Sequence, residues 1–285
     1  MEIAESSQTK AGRLRTNPMI RMVTGLSFFL LASCTPLINR VAFHPEMARE
    51  VAPDYAPSGV EQRFIMTPDK VRLRCLLVRD MASHYAALYF HGNASNIDQN
   101  FEDLLHLSKM GLTVFGVEYR GFGPNQGHPS EKGVYADGLA AFRYVVDSLG
   151  FDEKHVFLIG VSLGTTVAEK TAMGKDIAGL VLVAPLTTGK AYAWIHGLGL
   201  LALAAGNSFD NTGNIRKIKC PLLVIHGSDD RLIPISMGKR VFANATCQKE
   251  FVEIKGGHHE DLSTLDPEKY WGSIEKFVNT ITTSR

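Results

Sequence analysis

From residue 63 onward the apolar positions of the chain follow two rhythms that alternate with one another. Short, almost wholly apolar runs occupy residues 86–90, 113–117, 156–159, 179–183 and 222–225, with a further strand-like run at 250–254. Runs this short with no polar face predict strands covered on both sides, as in a parallel sheet. Between them lie stretches of helical spacing. The clearest extends from Glu131 to Leu149, with apolar residues at 135, 139, 142, 146 and 149, which form one stripe along a helix. Strand and helix in alternation imply right-handed crossovers and a mostly parallel central sheet with helices on both faces. Residues 63–66 and 71–78 predict an opening hairpin that turns at Pro68 and Asp69. Apolar residues at 71, 73 and 75 make its second arm a half-exposed strand. No internal repeat or low-complexity tract interrupts the pattern, so residues 61–285 read as one domain.

Three segments depart from it. Within residues 186–217, the stretch 191–205 is rich in Gly and Ala and has almost no polar face. It predicts a small helical cap with its apolar side toward a site, the alternative being a helix that simply covers the sheet. Residues 34–60 carry prolines at 36, 45, 53 and 57 and little periodicity, as a tether would. Ahead of them, Lys10, Arg13, Arg15 and Arg21 precede an apolar stretch at 23–32 and then Ser33 and Cys34. That order predicts a leader over residues 1–33, with Met19 or Met22 as alternative starts. Leu31, Ala32, Ser33 and Cys34 resemble a bacterial lipobox. The resemblance implies lipid attachment at Cys34 and a membrane-anchored address in the cell envelope. A single-pass anchor across the uncharged span 22–39 is the alternative.

Thirty basic residues against 29 acidic ones leave the 285-residue chain at a net charge of +1, with no basic run or stripe. The electrostatic footprint of a nucleic-acid binder is therefore missing. Cys75, Cys220 and Cys247 have neither CxxC nor zinc spacing and read as buried, inert thiols.

The chemistry concentrates at strand ends. Gly160, Val161, Ser162, Leu163 and Gly164 form a GxSxG pentad directly after the run 156–159 and directly before the helix-compatible residues 165–172. Strand, sharp turn and helix are what a nucleophile elbow needs, because the bend lifts the serine hydroxyl above the sheet at the positive end of a helix. Serine is a weak nucleophile until a base takes its proton, so an imidazole and an acid must follow. His226, Gly227, Ser228, Asp229 and Asp230 come just after the run 222–225, at the carboxyl edge of the sheet where open α/β sheets bind ligands. Lys255, Gly256, Gly257, His258 and His259 follow the run 250–254.

With His91, Gly92, Asn93 and Ala94 after a strand, and Tyr119, Arg120, Gly121, Phe122 and Gly123 after the next, these motifs stand in one order. In that order the chain from Arg63 to the C-terminus resembles the lipase, esterase and acyl-thioesterase-like members of the α/β-hydrolase superfamily. The resemblance implies an α/β-hydrolase fold with Ser162 as nucleophile. Its pattern selects Asp230 over Asp229 as the acid and His258 over His259 as the base. It also implies an oxyanion hole from the backbone N–H groups of Asn93 and Leu163, with the His91 side chain packing the loop.

The activity so implied is hydrolysis of carboxylic esters or thioesters through an acyl-enzyme, without cofactor or metal, on a small-molecule or acylated, lipid-like substrate. A serine peptidase of the same superfamily and a non-catalytic binding module on the same fold are the alternatives. Two decoys fall away. The stretch from Gly121 to Gly127 has Gln126 where GxGxxG needs glycine. The cluster His258, His259, Glu260 and Asp261 lacks the helical spacing of a metal site.

Overall fold

The computed structural model describes residues 39–40, 42–45 and 59–283. The leader, Cys34 and most of the tether lie outside the described residues. Eight strands form one sheet in the order β1-β2-β4-β3-β5-β6-β7-β8. They are β1 (Glu61–Met66), β2 (Arg72–Val78), β3 (Tyr85–Phe90), β4 (Leu112–Val117), β5 (Val156–Val161), β6 (Gly179–Val183), β7 (Leu222–Gly227) and β8 (Lys249–Ile254). Strand β2 runs antiparallel to both of its neighbours, and from β4 to β8 every pairing is parallel.

Alternate residues of the central strands feed two separate cores. Leu88, Phe90, Leu158, Leu180, Leu182 and Val224 face one side, where they meet Val134, Phe142 and Val167. These three come from α2 (Glu131–Arg143) and α3 (Leu163–Ala172). Ala87, Tyr89, Phe157, Ile159, Val181 and Ile225 face the other side, against Leu104, Ile274 and Phe277. Those belong to α1 (Phe101–Ser108) and α9 (Pro267–Thr282). A strand buried on both faces has no reason to keep a polar position, which explains the unbroken apolar runs.

Two elements differ from expectation. Strand β2 is buried on both faces rather than half-exposed, because Arg74 points into the protein. Its guanidinium makes a bidentate pair with Asp98, at 2.7 and 2.8 Å, which satisfies the charge that alternation alone would assign to solvent. The stripe over 131–149 is likewise not one α-helix. Helix α2 ends at Arg143, and Tyr144–Ser148 continue as a π-turn in which the Leu149 amide reaches back to the Tyr144 carbonyl.

Between β6 and β7 the chain forms α4 (Gly189–Ile195), α5 (Gly199–Ala205) and the short α6 (Asn211–Asn214). Trp194 and Leu203 of α4 and α5 are each 63% exposed. After β7 and β8 come α7 (Ile235–Asn244) and α8 (Leu262–Leu265). No described helix is long and apolar enough to cross a membrane.

Candidate active site

Strand β5 delivers Ser162 into a bend that an ordinary residue avoids. Its φ of 52° and ψ of −115° are a left-handed conformation, and such geometry costs about 1–3 kcal/mol unless its surroundings enforce it. They do so by close contact. A Cβ on Gly164 would lie 2.0 Å from the Phe90 carbonyl oxygen, and one on Gly160 would lie 2.4 Å from that of Gly164. Only glycines let β5, α3 and the end of β3 approach this closely. The Ser162 amide donates to the Val183 carbonyl at 2.9 Å, and the Thr165 hydroxyl donates to the Ser162 carbonyl at 2.6 Å, so the backbone of the bend is pinned from both sides.

The imidazole that reaches this hydroxyl is that of His259. Its Nε2 lies 2.9 Å from Ser162 Oγ and its Nδ1 lies 2.7 Å from Asp230 Oδ2. A carboxylate can only accept, so Nδ1 carries the proton and Nε2 offers its lone pair to the serine hydroxyl. His258, the expected base, points away. It is exposed, its Nδ1 donates to the Asp229 carbonyl at 3.2 Å, and its amide is held by Asp261 Oδ1 at 2.7 Å. The cause is the tight turn after β8. Gly256 takes a φ of 73°, and Gly257 packs so closely on Gly227 that a Cβ there would meet the Gly257 oxygen at 2.2 Å. With the glycines used in that turn and Asp261 bound to the next amide, the residue facing the sheet edge is the second histidine. Asp261 was the local clue, since a carboxylate bound to the amide of 258 commits that position outward.

Asp230 stands where the pattern put it, and Asp229 is exposed, with its carboxylate accepting from the Ser228 hydroxyl. Asp230 Oδ1 accepts from the amides of Leu232 and Ile233, at 2.9 and 2.8 Å. Its Oδ2 faces His259 and, at 3.4 Å, Nε2 of the buried His226. Burial opposes ionisation of Asp230, but the bonds from His226 and His259 outweigh it and hold the carboxyl well below the usual carboxylate range. His226 Nε2 also lies 2.8 Å from the Ile233 carbonyl, which fixes the proton on that nitrogen. The motif residue His226 thus serves the acid, a role that sequence reasoning missed.

The loop after β3 passes directly over the serine. A Cβ on Gly92 would lie 3.5 Å from Ser162 Cβ, and Asn93 follows it. Leu163 is the first residue of α3, whose opening amides have no partner within the helix. His91 packs this loop, as its sequence context suggested, through Nε2 at 2.8 Å from Glu118 Oε1, with both side chains fully buried. The other oxygen of Glu118 accepts from the Ile97 amide at 3.0 Å, so one carboxylate ties both ends of the 91–97 loop. Glu118 was also missed, since it lies 27 residues from His91 with no local signal. The adjoining motif is fixed by Tyr119 Oη donating to the His91 carbonyl at 3.1 Å and by Arg120 bridging Asp137 and Asp69.

Helix α4 borders the site. The imidazole of His196, which follows α4, donates through Nε2 to the Leu232 carbonyl at 2.9 Å, and Tyr192 lies near enough to Asp230 for the carboxylate to raise its phenol's pKa after burial has done so. Cys75 and Cys220 are buried and Cys247 is half-buried, with burial pushing the Cys75 and Cys247 thiols up. Among the described residues no group of His, Cys, Asp or Glu is arranged to hold a metal.

Comparison with known proteins shows what the chain is similar to. Residues 83–212 match the family model described as serine aminopeptidase, S33. The alpha/beta hydrolase domain-containing protein aho-3 of Caenorhabditis elegans is 33% identical over 71% of this chain, which spans 61% of that protein, less than two thirds of its length. The alpha/beta hydrolase domain-containing protein 17B of Xenopus laevis is 32% identical over 73% of this chain and 71% of its own. Among solved structures, the Pyrococcus furiosus esterase Pf2001 superposes with a TM-score of 0.67 at 19% identity, over 82% of this chain and 98% of its own. On the likeness to the frog protein, extended by a fold shared with the archaeal one, the chain belongs to the α/β-hydrolase family.

Proposed function

We propose that the protein hydrolyses carboxylic ester or thioester bonds through Ser162, His259 and Asp230. The observation that carries the reading is the unbroken relay from hydroxyl to imidazole to carboxylate, at 2.9 and 2.7 Å. Ser162 Oγ attacks the acyl carbonyl while Nε2 of His259 takes its proton. Asp230 holds the tautomer and stabilises the imidazolium that forms. The amides of Asn93 and Leu163 receive the oxyanion, where each fixed donor is worth about 10²–10³ in rate. His259 then returns the proton to the leaving alcohol or thiol, and water clears the acyl-enzyme by the reverse relay. The name of the archaeal neighbour, an esterase, is in keeping with this chemistry.

Substrates with an apolar acyl part suit the exposed Trp194 and Ile195 on α4, beside the site. The sequence from Leu31 to Cys34 supports a lipid-anchored address, to which a Cys34→Ala variant released from membranes would testify. The test of the activity is hydrolysis of p-nitrophenyl esters by the parent and by Ser162→Ala. A fall on the order of 10⁶ is expected. Undiminished turnover in the variant would overturn the assignment. The family model's description favours a second reading, cleavage of short peptides from their N-terminus. Aminoacyl p-nitroanilides turned over faster than esters would favour it over the first.

A further inference from the structure

Residues 42–44 lie against the loop that carries Asn93. The Asn93 side chain is gripped by that segment from both sides. Nδ2 donates to the Ala42 carbonyl at 3.0 Å, and Oδ1 accepts from the His44 amide at 3.0 Å. A carbonyl demands a donor and an amide demands an acceptor, so the two bonds fix the side chain in one orientation. Between them Phe43 is 3% exposed and lies in the core, with its ring edge-on to Phe209 at 5.8 Å. The Phe43 amide in turn donates to the Asn39 carbonyl at 2.9 Å.

We infer that Ala42, Phe43 and His44 are positioning residues for the reaction, holding the Asn93 amide at the height where the oxyanion forms. The inference rests on the proposed role of that amide. Glu118 anchors the loop only at His91 and Ile97, the two ends of a seven-residue span. Among the described residues both side-chain hydrogen bonds of Asn93, which lies between those ends, go to the 42–44 backbone. A donor must sit within a few tenths of an ångström of its place to act on the transition state. Phe43 is the plug that keeps the two backbone groups in reach, and it also links the oxyanion loop to the chain that follows α4 and α5, through Phe209. Residues 42–44 are therefore part of the site's scaffold.

The test uses the full chain and three variants, Asn93→Ala, Phe43→Ala and the two combined. Asn93→Ala keeps the backbone amide and removes only the grip. Its kcat on a p-nitrophenyl ester should fall about tenfold to hundredfold, with KM within twofold, a fraction of the loss of a whole donor. Inhibition by a trifluoromethyl ketone, which forms a tetrahedral adduct with an active serine, should weaken by the same factor. Phe43→Ala should act in the same direction, and the double variant should lose no more than the worse single one, because both remove the same tie. Phe43→Leu, which keeps the plug filled, should recover most of the rate and covers the case in which the alanine variant does not fold. A kcat for Asn93→Ala within twofold of the parent, a loss carried wholly by KM, or losses that multiply in the double variant would each overturn the inference. A parent that the ketone does not inhibit, together with a fully active Ser162→Ala, would instead show that the serine reading beneath it has failed.

Discussion

Replacing Asp230 by asparagine tests the relay through a single atom. Asp230 Oδ1 faces two backbone N–H groups, those of Leu232 and Ile233, and Oδ2 faces His259 Nδ1 and His226 Nε2. Two amide donors can be met only by an acceptor, so the asparagine carbonyl must take the Oδ1 place and its NH₂ the Oδ2 place. That NH₂ confronts His259 with a donor. The imidazole must then accept at Nδ1, which moves its proton to Nε2, facing Ser162, where it can no longer receive the serine proton. The wrong tautomer in otherwise intact geometry costs about 10⁴ in kcat, or roughly 5 kcal/mol of transition-state stabilisation. The assay is steady-state hydrolysis of a p-nitrophenyl ester at pH 7–8, with Asp229→Asn as the companion. Asp229 is exposed and its substitution should leave kcat within twofold. A kcat for Asp230→Asn within tenfold of the parent would refute the reasoning, as would a large loss confined to Asp229→Asn.

Other outcomes follow from the same geometry. His259→Ala should lose on the order of 10⁵–10⁶ in kcat while His258→Ala stays within about threefold, measured side by side on one ester. Gly164→Ala should abolish soluble folded protein or lower its stability by more than about 3 kcal/mol in urea denaturation, because the added carbon would lie 2.0 Å from the Phe90 oxygen. Glu169 on α3 is fully buried with neither oxygen bonded, and burial, then the charge of Asp210, raises its pKa well above the usual range. A carboxyl whose folded pKa is raised stabilises the fold at low pH and loses that contribution as pH climbs past its unfolded value near 4.3. Glu169→Gln should therefore match the parent near pH 4. It should gain on it by up to about 1.4 kcal/mol per pH unit above that, read as a widening Tm difference in thermal scans from pH 5 to 8. Equal Tm differences at all pH values would contradict this. For Asp230 the sign is opposite. Its depressed pKa lends stability above about pH 4 that is lost as acid protonates it in the folded protein, so Asp230→Asn should flatten the acid limb of the stability curve.

The parallel sheet was legible because burial on both faces leaves strands with nothing but apolar residues, and the Ser162 elbow because glycines are obligatory where β3, β5 and α3 meet. What escaped was decided by contacts distant in sequence. Alternating Arg72 and Arg74 read as a solvent face until Asp98 supplied the buried partner for Arg74. Glu118 was silent because its partners, His91 and Ile97, come from another strand end. Residues 258 and 259 are chemically identical, and only the packing of Gly257 on Gly227 and the bond from the His258 amide to Asp261 determine which one turns inward. Of the predicted stripe to Leu149 only Phe142 is fully buried. The buried face runs through Val134, Asp137, Ala141 and Val145, because Asp137 finds a partner in Arg120, and the chain ends the helix in a π-turn that apolar spacing does not distinguish from an α-helix.

The central claim is that the Ser162 hydroxyl is a nucleophile activated by His259. The most direct measurement is labelling with a fluorophosphonate, followed by peptide mapping in the parent, His258→Ala and His259→Ala proteins. One adduct is expected, on Ser162, formed at nearly the parent rate in His258→Ala and several orders of magnitude more slowly in His259→Ala. An adduct on another residue, or labelling that depends on His258 and not on His259, would contradict it.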